Sequence, residues 1–227
     1  MDGSANAAQA WSVHKRLLAV YGEHLNRQRP DPVSELINTI ISQNTNDRLR
    51  DQAFDTLRRR FPTWEQVRDA PVAQVAEAIK IAGLGQSKAP RIQAALRRIE
   101  AEIGELRLDF LQNLGVQEAR RWLLTINGVG PKTAAILLLF ALDMPAFPVD
   151  THIWRVSKRL GLIPAQTSRE KAHELLEAML PPDVYYPAHL NMIYHGREVC
   201  QARKPRCEEC VLRELCDTYQ GAIAPPV

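Results

Sequence analysis

Lys132 and Asp150 are the two side chains whose type and setting could make and break bonds. Lys132 ends the run Gly128-Val129-Gly130-Pro131-Lys132, and Asp150 follows eighteen positions later in Pro148-Val149-Asp150-Thr151-His152. An amine attacks an electrophilic carbon only when neutral, and a free lysine, with a pKa of ~10.4, is seldom neutral near pH 7. Pro131 suits the first position of a helix, because its missing N–H is not needed there. Lys132 then falls in the first turn, where the helix dipole opposes a cation. Neighbouring arginines and partial burial would favour the neutral amine further. A phosphate contact compensates for the same placement, and alone this lysine reads better as a phosphate ligand than as a nucleophile. Asp150 alone reads as the N-cap of the helix that starts at Thr151. A carboxylate held by helix N–H groups stays ionised, so it suits stabilising a cation better than donating a proton.

The glycines set the stage for that lysine. Gly128 and Gly130 allow a turn whose N–H groups converge on an anion at the positive end of a helix. With the helix expected over Glu118 to Ile126, they make a helix-hairpin-helix, which grips a DNA backbone without reading bases. An ordinary glycine-rich turn between packed helices accounts for this segment equally well. The four cysteines, Cys200, Cys207, Cys210 and Cys216, stand at intervals of six, two and five residues. Four thiolates so spaced suit zinc or an iron-sulfur cluster, and thiolate ligation alone does not choose. Arg203, Lys204 and Arg206 lie between the first two cysteines, so a bound metal would pin a cationic loop suited to phosphates.

These residues need a scaffold, and apolar spacing supplies an all-α one. Helical periodicity runs over Trp11 to Tyr21, Val33 to Ile41, Leu49 to Leu57, Val72 to Ile81, Ala89 to Ile103, Ala119 to Ile126, Ala134 to Leu142, Ile153 to Leu162 and Ala172 to Leu180. No alternating stretch is long enough for a convincing strand. Ile136 to Ala141 is apolar on every face, which predicts a helix surrounded by others. Turns fall at Pro30 with Pro32, at Phe61-Pro62-Thr63, at Gly83-Leu84-Gly85, at Gly104 and at Pro181-Pro182-Asp183. A chain of 227 residues makes one or two domains. Its net charge of +3 and pI near 8.7 are compatible with a polyanionic partner. Basic residues gather at Arg48 to Arg60, Arg155 to Arg159 and Arg197 to Arg206. No signal-peptide pattern and no apolar run of ~18 residues appears, so a soluble, cytoplasmic protein without membrane contact is expected.

Taken together and in this order, Gly128-Val129-Gly130-Pro131-Lys132-Thr133, Val149-Asp150-Thr151-His152 and the cysteine spacing resemble endonuclease III, a family of bifunctional DNA glycosylases with abasic-site lyase activity. The resemblance runs from about Val33 to Cys216. It implies two helical domains with a DNA groove between them: a six-helix barrel with the helix-hairpin-helix over 25–143, and an iron-sulfur cluster domain from 1–24 and 144–220, followed by a disordered tail over 221–227. It implies Lys132 as nucleophile, Asp150 as its carboxylate partner, and one 4Fe-4S cluster on Cys200, Cys207, Cys210 and Cys216. Gln43, in Ser42-Gln43-Asn44-Thr45, matches the residue that enters the space left by a flipped nucleotide, Leu84 matches the wedge, and His152 lies at the pocket edge. Gly128, Gly130, Arg203, Lys204 and Arg206 complete the expected DNA contacts. The implied substrate is double-stranded DNA carrying damaged bases or abasic sites, met by a monomer at the nucleoid. The implied reaction is removal of oxidised pyrimidines through a lysine Schiff base, with β-elimination cutting the strand 3′ to the abasic site.

Four positions depart from the common family pattern: Asn127, Pro131, Asn46 and Gly85. The last two lie by the expected lesion pocket, where Asn46 removes a charge and Gly85 is expected to free the wedge loop. Two rival readings stand beside the lyase. One is a monofunctional mismatch glycosylase using activated water, against which Lys132 argues; the other is a non-catalytic helix-hairpin-helix DNA-binding protein with a structural metal.

Overall fold

A computed structural model describes residues 3–223, and among these no strand occurs. The helices in chain order are α1 (Gly3–Tyr21), α2 (Pro32–Ser42), α3 (Asp47–Arg60), α4 (Trp64–Asp69), α5 (Val72–Ala78), α6 (Gly85–Ile103), α7 (Val116–Leu124), α8 (Pro131–Ile136), α9 (Thr151–Arg159), α10 (Arg169–Glu177), α11 (Tyr185–Glu198) and α12 (Asp217–Ile223). Of the tail expected over 221–227, residues 221–223 instead complete α12, and residues 224–227 lie outside the described residues. Arg29–Met144 form one compact unit, and the segments before and after it form a second.

In the unit Arg29–Met144, α2 is the central helix. Asp31 caps it, its carboxylate accepting from Ser34 N at 2.8 Å, and Pro32 occupies the first turn. Val33, Leu36, Ile37, Ile40 and Ile41 then recur at helical spacing, and all are fully buried. Truncating one such leucine to alanine costs about 2–5 kcal/mol. Helices α3, α6 and α8 pack against α2, and α4 and α5 pack against α6. Thr63 and Gln66 close a reciprocal capping box around the first turn of α4. That pairing in the sequence marks a short helix where apolar spacing shows only a turn.

The apolar stretch after Lys132 is buried as expected, with Leu137, Leu138 and Leu139 at most 4% exposed. Its last turn widens: Leu142 N donates to Leu137 O at 3.1 Å, a five-residue step rather than four. The unit ends where Arg29 pairs with Asp143.

The second unit joins α1 to α9–α12. α1 packs on α11, and α11 packs on α9. Gln9 donates through Nε2 to Leu160 O at 2.8 Å and Leu215 O at 2.9 Å, tying the N-terminal helix to the end of α9 and to the cysteine-bearing loop. α11 escapes the apolar-spacing reading because its buried face carries His189, Asn191 and His195. Each interrupts the apolar period, and two meet backbone acceptors: His189 Nδ1 donates to Pro148 O at 2.9 Å, and Asn191 Nδ2 to Gly22 O at 3.1 Å.

Candidate active site and cluster-binding loop

Lys132 lies in the first turn of α8, behind Pro131 and exposed, while Thr133, Ala134 and Ala135 go into the core. The partial burial expected of Lys132 is therefore absent: the buried side of α8 is Thr133, Ala134 and Ala135, and the lysine projects from the other side into solvent. Gly128 reaches the hairpin turn at φ +89°, a left-handed conformation in which a side chain is strained. A Cβ there would also stand 3.2 Å from Arg91 Cδ. Gly130, the N-cap of α8, is extended, and a Cβ on it would meet nothing within 4 Å. Its value is the open space beside the first-turn N–H groups, which a phosphate oxygen can enter.

The same unit carries Gln43 and Leu84. Gln43 ends α2, and its amide is held at both ends: Nε2 donates to Gly128 O at 3.2 Å, and Oε1 accepts from Arg91 Nη1 at 3.5 Å. Gln43 is therefore tied to the hairpin, with Arg91 as an orienting residue that the sequence did not single out. Asn46 is the N-cap of α3, with Oδ1 accepting from Leu49 N at 3.0 Å. Asn and Asp cap equally well, so local helix geometry accounts for its side chain.

Three exposed non-glycine residues of this unit, Asn44, Leu84 and Asp143, have left-handed backbones, and Leu84 is the one without a short polar side chain that tolerates it. Leu84 sits at φ +55° as the N-cap of α6 and is 58% exposed. A branched apolar side chain in the left-handed region costs on the order of 1–2 kcal/mol, and its exposure gains nothing from burial. A strained, exposed leucine that persists is a sign of a task outside folding. The expectation that Gly85 frees this loop is corrected by the packing. A Cβ at Gly85 would lie 2.6 Å from Ala76 O, so the glycine lets α6 approach the backbone of α5 closely. The Gly83-Leu84-Gly85 turn is pinned at its last residue.

In the second unit Asp150 caps α9, its Oδ1 accepting from Ile153 N at 2.8 Å. The strand-like approach to it is clamped by three side chains absent from the sequence reading. Glu177 Oε1 accepts from Phe147 N at 2.8 Å, His173 Nδ1 donates to Phe147 O at 3.1 Å, and His189 donates to Pro148 O. Asp150 is half-buried at the end of this clamp. His152, the second residue of α9, accepts at Nδ1 from Arg155 Nη2 at 3.2 Å. With Nδ1 accepting from the guanidinium, the ring N–H is on Nε2. Lys132 and Asp150 belong to different units.

The four cysteines gather in the loop between α11 and α12. Burial pushes the Cys210 and Cys216 thiols up, and each is raised further by the charges of other cysteines of the set. The sulfurs are therefore close enough to interact. Donors already address them: Arg159 Nη1 reaches Cys200 Sγ at 3.3 Å and Leu212 N reaches Cys210 Sγ at 3.4 Å. N–H donors aimed at sulfur favour thiolates, the form that ligates iron. Among the described residues no three His, Cys, Asp or Glu side chains are gathered tightly enough for one metal ion. Four cysteine thiolates are the donor set that holds an iron-sulfur cluster.

Arg155 and Arg159, which look like part of a basic surface in the sequence, point into this loop. Arg155 donates to Cys200 O and Gly196 O, and Arg159 to Gln201 O and Ala202 O. Arg206 is engaged as well, with Glu198 O and the Glu209 carboxylate. Arg203 and Lys204 stand exposed at the loop's tip.

Residues 37–182 match the HhH-GPD superfamily of base excision DNA repair proteins, and residues 200–216 match the iron-sulfur binding domain of endonuclease III. The chain is 34% identical over 195 residues to endonuclease III of Thermotoga maritima, covering 86% of this chain and 87% of that one. This chain belongs to the endonuclease III family. It is also 33% identical over 190 residues to endonuclease III of Sulfolobus acidocaldarius, covering 83% and 82% of the two chains. A further relative from Arabidopsis thaliana, 33% identical over 183 residues, is longer: those residues are 80% of this chain and 62% of that one. Among solved structures, a non-covalent endonuclease III–DNA complex superposes with TM-score 0.82 at 26% identity, covering 96% and 98% of the two chains. A trapped endonuclease III–DNA covalent intermediate superposes with TM-score 0.80 at 27% identity, covering 96% and 99%. As an endonuclease III family member with this loop, the chain carries one 4Fe-4S cluster.

Proposed function

We propose that this chain is a base-excision DNA glycosylase with abasic-site lyase activity, acting on oxidised pyrimidines in double-stranded DNA. The observation that carries the reading is an exposed amine, Lys132, in the first turn of a helix anchored by buried Thr133, Ala134 and Ala135, beside the open space at Gly130. A purely structural lysine would gain nothing from that position.

The substrate base must first leave the stack, at a cost of a few kcal/mol that is least for a damaged base. Exposed Leu84 wedges the stack, and Gln43, oriented by Arg91 and Gly128 O, fills the space of the extruded nucleotide. Gly128, Gly130, Arg203 and Lys204 meet phosphates, and Arg206 holds the loop that presents the last two. His152 offers its Nε2 proton at the pocket edge. Neutral Lys132 Nζ bonds to the deoxyribose C1′ as the bond to the base breaks, and the base departs with the electron pair and takes up a proton. The Asp150 carboxylate, at the N-cap of α9, stabilises the cationic sugar. Nζ then gives up a proton and the C1′–O4′ bond breaks, its oxygen taking up a proton as the sugar ring opens, and the resulting iminium acidifies the C2′ proton. Its removal drives the break of the C3′–O bond, which is β-elimination. The cluster on Cys200, Cys207, Cys210 and Cys216 holds its loop in shape when bound. We place the protein at the nucleoid, in the cytoplasm, because that is where its substrate is, and it acts as a monomer.

Incubation with abasic-site duplex and borohydride tests the chemistry, because reduction of the iminium fixes a covalent adduct. The adduct is expected from wild type and absent from Lys132→Ala. An active, DNA-binding protein that yields no adduct would refute the lysine mechanism and favour water-based base release.

A further inference from the structure

Among the described residues Lys88 is the largest fully buried side chain, 1% exposed. In the sequence it looks like one more solvated charge after the wedge loop. Its ammonium nitrogen instead donates to two backbone carbonyls, Ile41 O at 2.7 Å and Ala82 O at 3.0 Å. Ile41 stands two residues before Gln43, at the C-terminal end of α2, where carbonyls lack helical partners. Ala82 stands two residues before Leu84, at the end of the short turn Lys80–Ala82. A lysine is rarely buried without a reason of this kind, since losing its hydration is costly.

We infer that Lys88 is a positioning residue that locks the Gln43 segment and the Leu84 loop into one rigid frame, so that both enter DNA as a single tool. Three features of the same short region support it. Leu84 O accepts from Lys88 N at 2.9 Å, so the wedge caps the helical turn that carries the buried amine. Arg91, one turn further along α6, holds the Gln43 amide. Gly85 brings that end of α6 against the Ala76 carbonyl. The wedge, the filler and the hairpin at Gly128 are thereby referred to one helix end, with the Lys88 amine as the contact shared by the first two.

The inference rests on the roles given above to Gln43 and Leu84, and it separates from the lysine chemistry in the assay. A wedge and a filler matter only where a stack must be opened. Lys88→Met, which keeps the length and removes the donors, is expected to slow borohydride trapping on abasic duplex on the order of 10²-fold, the usual consequence of misplacement by about an ångström. Trapping on the same strand without its complement should be unchanged. In a Leu84→Ala background the Lys88→Met loss on duplex should nearly vanish, because the frame then has no wedge to hold. Lys88→Gln, which retains N–H donors, should lie between. Equal losses on duplex and single strand, undiminished loss on top of Leu84→Ala, or unaltered duplex trapping would each overturn the inference. Should both variants fail to fold, hydrogen exchange of wild type decides: amides 43–45 and 83–87 are expected to open as one unit, and independent opening would overturn it. If wild type traps nothing, the lyase reading fails. Lys88 is then read from the fluorescence of 2-aminopurine placed opposite a tetrahydrofuran abasic analogue, which reports stack opening without chemistry; Lys88→Met should abolish the rise that wild type gives, and an equal rise would overturn the inference.

Discussion

Asp150 caps a helix and is proposed to support a cation, and two substitutions separate these roles. Its Oδ1 accepts from Ile153 N at 2.8 Å, which is an N-cap contact, and its charge is the proposed support for a cationic sugar. Asn caps a helix about as well as Asp, whereas Ala costs about 1 kcal/mol. For a chain of this size 1 kcal/mol is about 2–4 °C in melting temperature. Asp150→Asn should therefore melt like wild type, and Asp150→Ala about 2–4 °C lower. Loss of a preorganised charge facing a developing one costs on the order of 10²–10³ in rate. Both variants should lose that much in single-turnover base excision, and both should bind lesion duplex nearly as wild type does, because the clamp of Glu177, His173 and His189 still fixes the segment. The measurements are a thermal melt, a binding titration and single-turnover excision on one duplex. If Asp150→Asn excises at the wild-type rate, or loses binding and turnover in equal proportion, the carboxylate is only a cap and the charge argument fails.

Gly85→Ala should destabilise the protein by about 1–3 kcal/mol, since the new methyl meets a backbone oxygen that cannot rotate away; a urea midpoint no lower than wild type would show that α5 and α6 can separate freely. Leu84→Ala should leave stability unchanged or raise it, given the residue's exposure, while weakening base extrusion from duplex, so a parallel fall in urea midpoint would reveal a packing role instead. Burial holds the Glu35 carboxyl above the ordinary carboxylate range, outweighing the opposing Thr39 hydroxyl and Arg50. The native state then keeps this proton longer than the unfolded chain does, so the associated stability is present at low pH and is lost as pH rises through the folded value. Glu35→Gln should accordingly melt above wild type at about pH 7 and with it at about pH 4, below the usual range for Glu; an equal gain at both pH values would exclude desolvation of charge as the cause.

Helices that bury one apolar stripe were legible from spacing, as α2 shows most plainly with Val33, Leu36, Ile37, Ile40 and Ile41. Helix α11 was not, because polar residues occupy its buried face, and the groups that satisfy two of them, Pro148 O and Gly22 O, are remote in sequence. Helix α4 is too short for periodicity, although Thr63 and Gln66 announced its start. Gly85 was read as a loosened loop, when the carbonyl it accommodates belongs to another helix. Similarly, the basic cluster Arg155 to Arg159 contains two guanidiniums committed to carbonyls of the cysteine loop.

The order and spacing of reactive groups belonged to the sequence: an amine after a glycine turn, a carboxylate at a helix start, four thiols in one loop. Such features are local, because caps, turns and ligand spacing depend on neighbours within a few residues. Only the tertiary structure decided which polar groups have partners. Lys88 illustrates the difference, as its Ile41 acceptor lies 47 residues away and no local pattern distinguishes it from a solvated lysine. A charge can be buried only where acceptors from separate elements converge on it, and that convergence exists only once the chain has packed.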